Sequence, residues 1–253
     1  MQNLFSLENK VALITGASRG IGAAIASTLA AQGAHVVLSS RKAEALEEVA
    51  LEIRKNGGKA TVMACHMGQI PAVRELVEKI DRELGRLDIL VANAATNPYF
   101  GDLFGVDEGA WDKIMDVNVK GPFFLIQAAA KVMDKNGGGA VVTVASVNGV
   151  SPALFQGAYS ISKAAVISMT KAFAKELAPR NIRVNSLLPG LTDTKFAGAL
   201  IQNDDIREYA VKQIPMGRYA QPGEMAGAVL YLVSDASSFT TGTTLVCDGG
   251  QLA

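Results

Sequence analysis

Three polar side chains in the middle of the chain have the types and spacing needed for proton transfer. Ser146 follows a β-branched run at residues 141–144, so it is expected at the carboxyl end of a buried strand, where open α/β sheets bind ligands. Tyr159 and Lys163 are four residues apart on a predicted helix and therefore share one face. An ammonium beside a phenol favours the phenolate, which predicts a pKa for Tyr159 below about 10 and a role as general acid or base.

A glycine-rich turn follows the first apolar run, at residues 11–14, and precedes apolar residues at helical spacing. Gly16 would form the tight turn, Gly20 would let the backbone approach a pyrophosphate, and Gly22 would let the helix pack on the strand. The N-terminus of that helix would then bind the phosphates. The turn favours catalysis by the tyrosine–lysine pair over the common alternative, a half-buried ring under a surface lysine.

The end of the second predicted strand, residues 35–39, bears on the choice of dinucleotide. An acidic residue here would accept a hydrogen bond from the adenosine ribose 2′-OH, but the chain has Ser40 and Arg41 instead. Arg41, together with Arg19 in the glycine turn, would form charge-assisted hydrogen bonds to a 2′-phosphate. The alternative is that both arginines are solvated surface residues. We predict NADP(H) as the cofactor.

These residues, with the glycine turn at 15–22, resemble the short-chain dehydrogenase/reductase family over essentially the whole chain. The resemblance implies that Tyr159 donates the proton to a carbonyl, that Lys163 holds the nicotinamide ribose and lowers the pKa of the tyrosine, and that Ser146 orients the substrate oxygen. It also implies that Asn118 supports a water-linked proton relay to the lysine. In isolation, an asparagine within a helix is more often solvated or a cap.

The family resemblance also implies a set of cofactor-binding residues along the chain. The set is Gly16, Ser18, Arg19, Gly20, Ile21, Gly22, Ser40, Arg41, His66, Met67, Asn93, Ala94, Tyr159, Lys163, Pro189, Gly190, Thr192 and Thr194. Residue Thr192 would hold the nicotinamide amide and Thr194 the pyrophosphate. Two positions depart from the family pattern: His66 stands where an aspartate usually contacts the adenine, and Ala95 replaces the glycine of the Asn-Ala-Gly turn.

Three shorter segments, 65–68, 93–101 and 177–181, resemble the NADPH-dependent carbonyl reductase and retinol dehydrogenase branch of the family. This implies a small-molecule carbonyl or alcohol substrate. Two alternatives remain open at this point. One is a 3-oxoacyl-carrier-protein reductase, and the other, from a different class, is a dinucleotide-sensing or scaffold protein without turnover.

The fold class follows from alternating strand and helix patterns, which predict an α/β protein with a doubly wound parallel sheet, the Rossmann fold. With 253 residues and 49% hydrophobic content, one domain spanning 1–253 is expected. A single long helix is predicted over residues 111–133. Residues 191–215 are expected to cover the substrate as a lid, because 195–215 lack a strong period.

Composition argues against several classes of function. The formal charges balance, 24 against 24, so no basic stripe indicates a nucleic-acid partner. No apolar stretch approaches the ~18 residues of a membrane span, and no secretory signal is evident, so a cytoplasmic protein without a membrane partner is expected. Cys65 and Cys247 are isolated and the only histidines are His35 and His66, so no catalytic metal is expected.

Two predicted helices, 111–133 and 158–178, have more apolar residues than one sheet face requires. The residues in excess are Phe123, Phe124, Ile126, Val166, Met169 and Phe173. Spare apolar surface suggests a partner, and the family resemblance implies a homotetramer with two-fold interfaces.

Overall fold

Seven parallel strands form one sheet in this computed structural model, which describes residues 3–198 and 204–253. The strands are β1 (Val11–Thr15), β2 (His35–Ser39), β3 (Lys59–Val62), β4 (Ile89–Ala92), β5 (Gly139–Val144), β6 (Ile182–Pro189) and β7 (Thr244–Cys247). Their order across the sheet is β3-β2-β1-β4-β5-β6-β7.

Helices cover both faces of this sheet. They are α1 (Gly20–Ala31), α2 (Glu44–Lys55), α3 (Ile70–Leu84), α4 (Glu108–Met115), α5 (Gly121–Lys135), α6 (Gly157–Leu177), α7 (Asp204–Lys212) and α8 (Gly223–Val233). Short 3₁₀ helices lie at Leu103–Gly105, Val147–Gly149, Ala178–Arg180, Lys195–Ala197 and Asp235–Ser237. The predicted fold class, a single-domain doubly wound α/β sheet, is confirmed.

Alternation along the central strands divides the core into two layers. On β1, Ile14 belongs to the layer formed with α1, α2 and α8, whereas Leu13 belongs to the layer formed with α3, α5 and α6. Both side chains are fully buried, as expected for a parallel strand covered by helices on both faces. The strand order reverses between β1 and β4, so the loops after these two strands diverge to opposite faces and leave a crevice at the carboxyl edge.

The predicted helix 111–133 is wrong in one respect, because it is interrupted. Helix α4 ends at Met115, a π-helical turn spans Asp116–Lys120, and α5 begins at Gly121. A local cause lies in Pro122, which has no N–H to donate to the carbonyl four residues earlier. Single π turns inside helices are frequent at functional sites, and this one contains Asn118.

Other differences from the expected elements are smaller. Strand β3 ends at Val62, whereas the sequence pattern predicts a strand over residues 59–64. The predicted lid segment contains helix α7, and its residues 199–203 lie outside the described part of the chain. None of the described helices is both long and apolar enough to cross a membrane.

The apolar residues assigned to a subunit interface are mostly core residues. Ile126, Val166, Met169 and Phe173 are buried within the subunit, so the prediction that they form spare surface is wrong. Periodicity cannot separate a helix face that packs on a sheet from one that packs on a partner. Phe123 does remain exposed, at 41%, and Phe124 is partly exposed.

Candidate active site

The glycine turn after β1 is braced by the loop that follows β4. Asn93 donates its side-chain amide to the carbonyls of Thr15 (2.9 Å) and Gly16 (3.3 Å). The Thr15 hydroxyl accepts the backbone N–H groups of Asn93 and Ala94, each at 3.1 Å. Gly16 has a φ of 67°, and a Cβ there would lie 2.7 Å from the Asn93 amide nitrogen. The turn is therefore held in one shape that only glycine permits.

This turn leads into an uncapped helix N-terminus. Arg19 is the N-cap of α1 in an extended conformation, its side chain caps no backbone N–H, and the first turn contains no acidic residue. A Cβ at Gly22 would lie 2.3 Å from the Gly16 carbonyl oxygen, so the helix packs directly on the turn. Free N–H groups and the helix dipole together favour an anion. These residues fit the pyrophosphate of a dinucleotide.

Two arginines lie close to this helix N-terminus. The Ala17 N–H donates to the Ser39 carbonyl (3.2 Å). Arg19 lies two residues after Ala17, and Arg41 lies two residues after Ser39, so this hydrogen bond brings the two arginines near each other. Both are exposed, and neither forms an ion pair within residues 3–198 and 204–253. The Ser40 hydroxyl donates to the Lys42 carbonyl (3.4 Å). The predicted positive pair at the end of β2 is thus available to an anionic ligand.

The loop after β3 shows what replaces the family aspartate. The Nδ1 atom of His66 accepts the Gly68 backbone N–H (3.1 Å), a contact that an aspartate oxygen would also make. Since Nδ1 is the acceptor, the neutral ring has its proton on Nε2. The Met67 carbonyl packs against helix α5, where a Cβ at Gly121 would lie 2.2 Å from it. His66 therefore keeps the shape of the loop but presents a donor in place of an acceptor.

The segment after β6 lies on the opposite side of the crevice. Thr192 is buried, and its hydroxyl donates to the Gly190 carbonyl (3.0 Å). Thr194 caps the short 3₁₀ helix, and its methyl carbon would lie 3.1 Å from a Cβ at Gly20. The tertiary structure thus brings Thr194 beside the glycine turn.

Ser146 lies two residues past the end of β5. Its hydroxyl oxygen accepts the Asn148 backbone N–H (3.1 Å) and caps the 3₁₀ helix Val147–Gly149. Because the Ser146 oxygen accepts this hydrogen bond, its hydroxyl proton is free to be donated to another group. It also hydrogen-bonds to the side chain of Tyr159, which places the predicted serine and tyrosine together.

Tyr159 and Lys163 both lie in the first half of α6 and are 7% and 3% exposed. Burial raises the pKa of Tyr159, an effect that the hydrogen bond from Ser146 opposes. Burial lowers the pKa of Lys163 to about 7. The ammonium nitrogen donates to the Val144 carbonyl (2.7 Å) and lies 5.5 Å from the centre of the Tyr159 ring.

The predicted lowering of the Tyr159 pKa by Lys163 is therefore wrong for the side chains as the fold places them. Sharing a helix face brought the two groups together, but desolvation disfavours the phenolate and the ammonium alike. A buried tyrosine that keeps its proton at neutral pH is a proton donor.

Asn118 is buried, and its side chain is held by Thr96 and Ser162, so the predicted water-linked relay to Lys163 stays a prediction. Its side-chain oxygen accepts the Thr96 N–H (2.8 Å), and its amide donates to the Thr96 carbonyl (2.9 Å) and to the Ser162 hydroxyl (3.0 Å). Within the described ranges no hydrogen bond joins the side chains of Asn118 and Lys163. Asn118 reaches the catalytic helix through Ser162, the residue before the lysine.

Aromatic rings lie near the start of α6, the helix that contains Tyr159. The Phe196 ring is 5.5 Å from the Tyr159 ring, and Phe100 pairs with Phe155 at 6.0 Å. The loop that contains Phe100 is docked on the start of α6, because a Cβ at Gly157 would lie 2.3 Å from Leu103. The loop at 97–101, which the sequence predicts as one wall of the substrate pocket, contributes Phe100 to this group of rings.

Sequence reasoning missed three groups that build this site. Thr15 braces the glycine turn, the Val144 carbonyl holds Lys163, and Ser162 joins Asn118 to α6. Each acts across at least 19 residues of sequence, and local spacing has no signal for such contacts. Among the residues that the structure describes, no group of three or more histidines, cysteines or carboxylates could hold a metal ion.

Comparisons with known proteins extend over almost the whole chain. A family model described as enoyl-(acyl carrier protein) reductase matches residues 16–251. Dehydrogenase/reductase SDR family member 4 of Homo sapiens is 43% identical over 244 residues, which are 96% of this chain and 88% of that protein.

Solved structures show the same similarity. A short-chain type dehydrogenase/reductase from Mycobacterium marinum has a TM-score of 0.93 at 41% identity and covers 98% of this chain and 97% of its own. A gluconate 5-dehydrogenase from Burkholderia cenocepacia, solved in complex with NADP and tartrate, has a TM-score of 0.95 at 32% identity over 98% and 97% of the two chains.

Proposed function

The chain belongs to the short-chain dehydrogenase/reductase family, as its motifs predicted, and we propose that it interconverts a ketone or aldehyde and the corresponding alcohol with NADP(H). One observation supports this most strongly: Ser146, Tyr159 and Lys163 meet at the carboxyl edge of the sheet, the same edge at which α1 begins with an uncapped N-terminus. The similarity to member 4 also agrees with the branch predicted from three short segments.

The residues supply the proton chemistry of this reaction, and a bound nicotinamide would supply or accept the hydride. In reduction, Tyr159 donates its phenolic proton to the carbonyl oxygen, which becomes the alcohol hydroxyl as the C=O π bond is lost. Ser146 donates a hydrogen bond to the same oxygen and orients it. Lys163, whose pKa burial lowers to about 7, can release a proton near neutral pH and so return one to the tyrosine.

The proposed preference for NADP(H) is supported by charge at the end of β2. Arg19 and Arg41 have no acidic partner among the described residues, and Ser40 stands where an acid would repel a 2′-phosphate. The B. cenocepacia enzyme was solved with NADP, which agrees with this proposal. The remaining predicted cofactor residues keep their proposed roles.

The proposed substrate is a carbonyl compound with an apolar body. Phe196, Phe100 and Phe155 offer rings on the approach to Tyr159, and Leu154 adds exposed apolar surface at 76%. Residues 191–215 remain a predicted lid over this surface. Burying an apolar group against such rings contributes about 25 cal/mol per Å² of area removed from water.

A turnover assay tests the proposed function. The purified chain should consume NADPH, measured as loss of absorbance, in the presence of one or more ketones, diketones, aldehydes or acyl thioesters. Preference for an acyl thioester would favour the 3-oxoacyl-carrier-protein reductase instead. NADPH binding without turnover of any class would favour a dinucleotide-sensing protein.

A homotetramer and a cytoplasmic location remain proposals. Phe123, Trp111 and Ile161 are exposed on α5, α4 and α6, at 41%, 38% and 48%, and offer apolar surface for a second copy. Light scattering at micromolar concentration should give the mass of four chains. The two free thiols, Cys65 and Cys247, agree with a reducing compartment, which cell fractionation would test.

A further inference from the structure

The π-helical turn Asp116–Lys120 places Asn118 in a fully occupied hydrogen-bond network. The side-chain oxygen accepts one backbone N–H, and both amide protons have acceptors, one on Thr96 and one on Ser162. Asn118 is 1% exposed, so no part of the side chain is left to contact solvent. Of the acceptor groups of Asn118, only the backbone carbonyl can therefore hold a water of the proposed proton relay.

That backbone carbonyl lacks its ordinary helical partner. In an α-helix the carbonyl of residue 118 would accept the N–H of residue 122, but Pro122 has none. The π turn closes instead with the Gly121 N–H donating to the Asp116 carbonyl. The Asn118 carbonyl is therefore not held by the usual α-helical hydrogen bond.

Ser162 forms a side-chain hydrogen bond between Asn118 and helix α6. Its hydroxyl accepts from the Asn118 amide (3.0 Å) and donates to the Tyr159 carbonyl (2.7 Å). The side chain is fully buried and lies immediately before Lys163. One hydroxyl thus joins the π turn to the helical turn that contains the tyrosine and the lysine.

We propose that Ser162 is a positioning residue for the proton step: it holds Asn118 at a set distance from the Tyr159–Lys163 turn so that protons can be resupplied to the lysine. This inference rests on the proposed oxidoreductase function. Without the hydroxyl, one buried amide proton of Asn118 would have no acceptor, and the π turn would move to find one.

The chain offers a matched control on the same helix. Ser160 is also buried, at 2%, and its hydroxyl donates to the Gln156 carbonyl (2.8 Å) without contacting Asn118. Ser162→Ala and Ser160→Ala each remove one buried hydroxyl from α6. Ser162→Cys keeps a weak acceptor at the same place and provides a second variant if Ser162→Ala does not fold.

Ser162→Ala should lower kcat about tenfold, leave the dissociation constant of NADPH within about twofold, and increase the solvent deuterium isotope effect on kcat. Ser162→Cys should recover part of the rate. Ser160→Ala should stay within about twofold of wild type in kcat. Equal losses of kcat in the two alanine variants, or an unchanged isotope effect in Ser162→Ala, would overturn the proposal.

Hydrogen–deuterium exchange provides a readout that needs no turnover. Segment 116–121 should exchange faster in Ser162→Ala than in Ser160→Ala, because only the first variant releases Asn118. Equal exchange would contradict the positioning role whether or not the wild type turns over a substrate. A wild type without turnover but with faster exchange in Ser162→Ala would instead refute the proposed function alone.

Discussion

The two edges of the sheet differ in whether their buried ionisable side chains have a charged partner. At the amino edge, Asp88 precedes β4 and is 5% exposed. Its Oδ1 accepts from an Arg86 terminal nitrogen (2.7 Å), and its Oδ2 accepts from Arg86 Nε (2.9 Å) and from the Val11 N–H (2.8 Å). The hydrogen bond to this carboxylate raises the pKa of Arg86, so the guanidinium stays charged.

At the carboxyl edge, Tyr159 and Lys163 are buried just as deeply but have no counter-ion within the described part of the chain. Burial raises the pKa of Tyr159 and lowers the pKa of Lys163, and both shifts favour the neutral form of the group. Depth of burial alone therefore does not decide whether a polar group stabilises the fold or remains reactive. Pairing decides it, because a matched partner fixes the charge whereas an unmatched group can exchange a proton.

The largest expected effect follows from removing the proton donor at the carboxyl edge. Tyr159→Phe keeps the ring and deletes only the hydroxyl, so kcat should fall by about 10²–10⁴ while NADPH binding is retained. Steady-state kinetics and fluorescence titration of NADPH measure the two quantities. Tyr231→Phe, which removes an exposed hydroxyl bonded to Thr240, is the control and should keep wild-type kcat. A Tyr159→Phe enzyme with near wild-type kcat would refute the mechanism.

The corresponding change at the amino edge should affect stability and not chemistry. Asp88→Ala leaves the buried Val11 N–H without an acceptor and should lower the free energy of unfolding by about 1–3 kcal/mol. Urea denaturation measures this, and kcat of the folded variant should be unchanged. Asp81→Ala breaks an exposed pair with Lys135 (2.7 Å) and should cost less than about 1 kcal/mol. If both variants lost the same free energy of unfolding, the claim that the buried pair stabilises the fold more than the exposed pair would be wrong.

Exposed charges at the carboxyl edge should act on cofactor choice. Arg41→Ala should lower the preference for NADPH over NADH, as a ratio of kcat/KM values, by about tenfold, because one exposed charge-assisted contact is lost. Adding Ser40→Asp should turn the preference toward NADH, since the new carboxylate repels a 2′-phosphate. Lys55→Ala, an exposed cation on α2, should leave the ratio unchanged. A double variant with the wild-type ratio would show that this interpretation of the end of β2 is wrong.

The smallest effect concerns stability and pH. The unfolded pKa of a lysine is about 10.4, whereas burial lowers that of Lys163 to about 7. Between these values the unfolded state binds more protons, so this group makes the free energy of unfolding rise with pH, by at most about 1.4 kcal/mol per pH unit. Urea denaturation at pH 7, 8 and 9 should therefore show that the free energy of unfolding rises less steeply with pH for Lys163→Met than for wild type. Asp88→Ala should keep the wild-type slope, and identical slopes in all three proteins would contradict the comparison of the edges.

Much of the fold could be predicted because its determinants are local. The apolar run of β1, the glycines that follow it and the apolar face of α3 each specify one element from neighbouring residues. The site residues followed in the same way, since Tyr159 and Lys163 are one helical turn apart and Ser146 follows a strand. The element and the helix face on which such a side chain lies can be predicted before the residues packed around it are known.

The interruption of the helix at Asn118 could not be predicted with the same tools. Pro122 is evident in the sequence. A proline there is compatible with the start of a new helix as well as with a kink in one continuous helix, so it does not by itself predict the interruption. The π turn is stabilised by Thr96, 22 residues away, and by Ser162, 44 residues away. Such contacts exist only once β4 and α6 have packed on either side of it.

The sequence by itself determined the order of strands and helices, the glycine turn, and the identity of the serine, tyrosine and lysine at the site. Only the tertiary structure decided which apolar helix faces are core, as for Phe173, and which protonation state Tyr159 favours. The physical reason is that spacing along a chain places a side chain on one face of its element. Burial and its effect on the pKa depend on every element packed against that face.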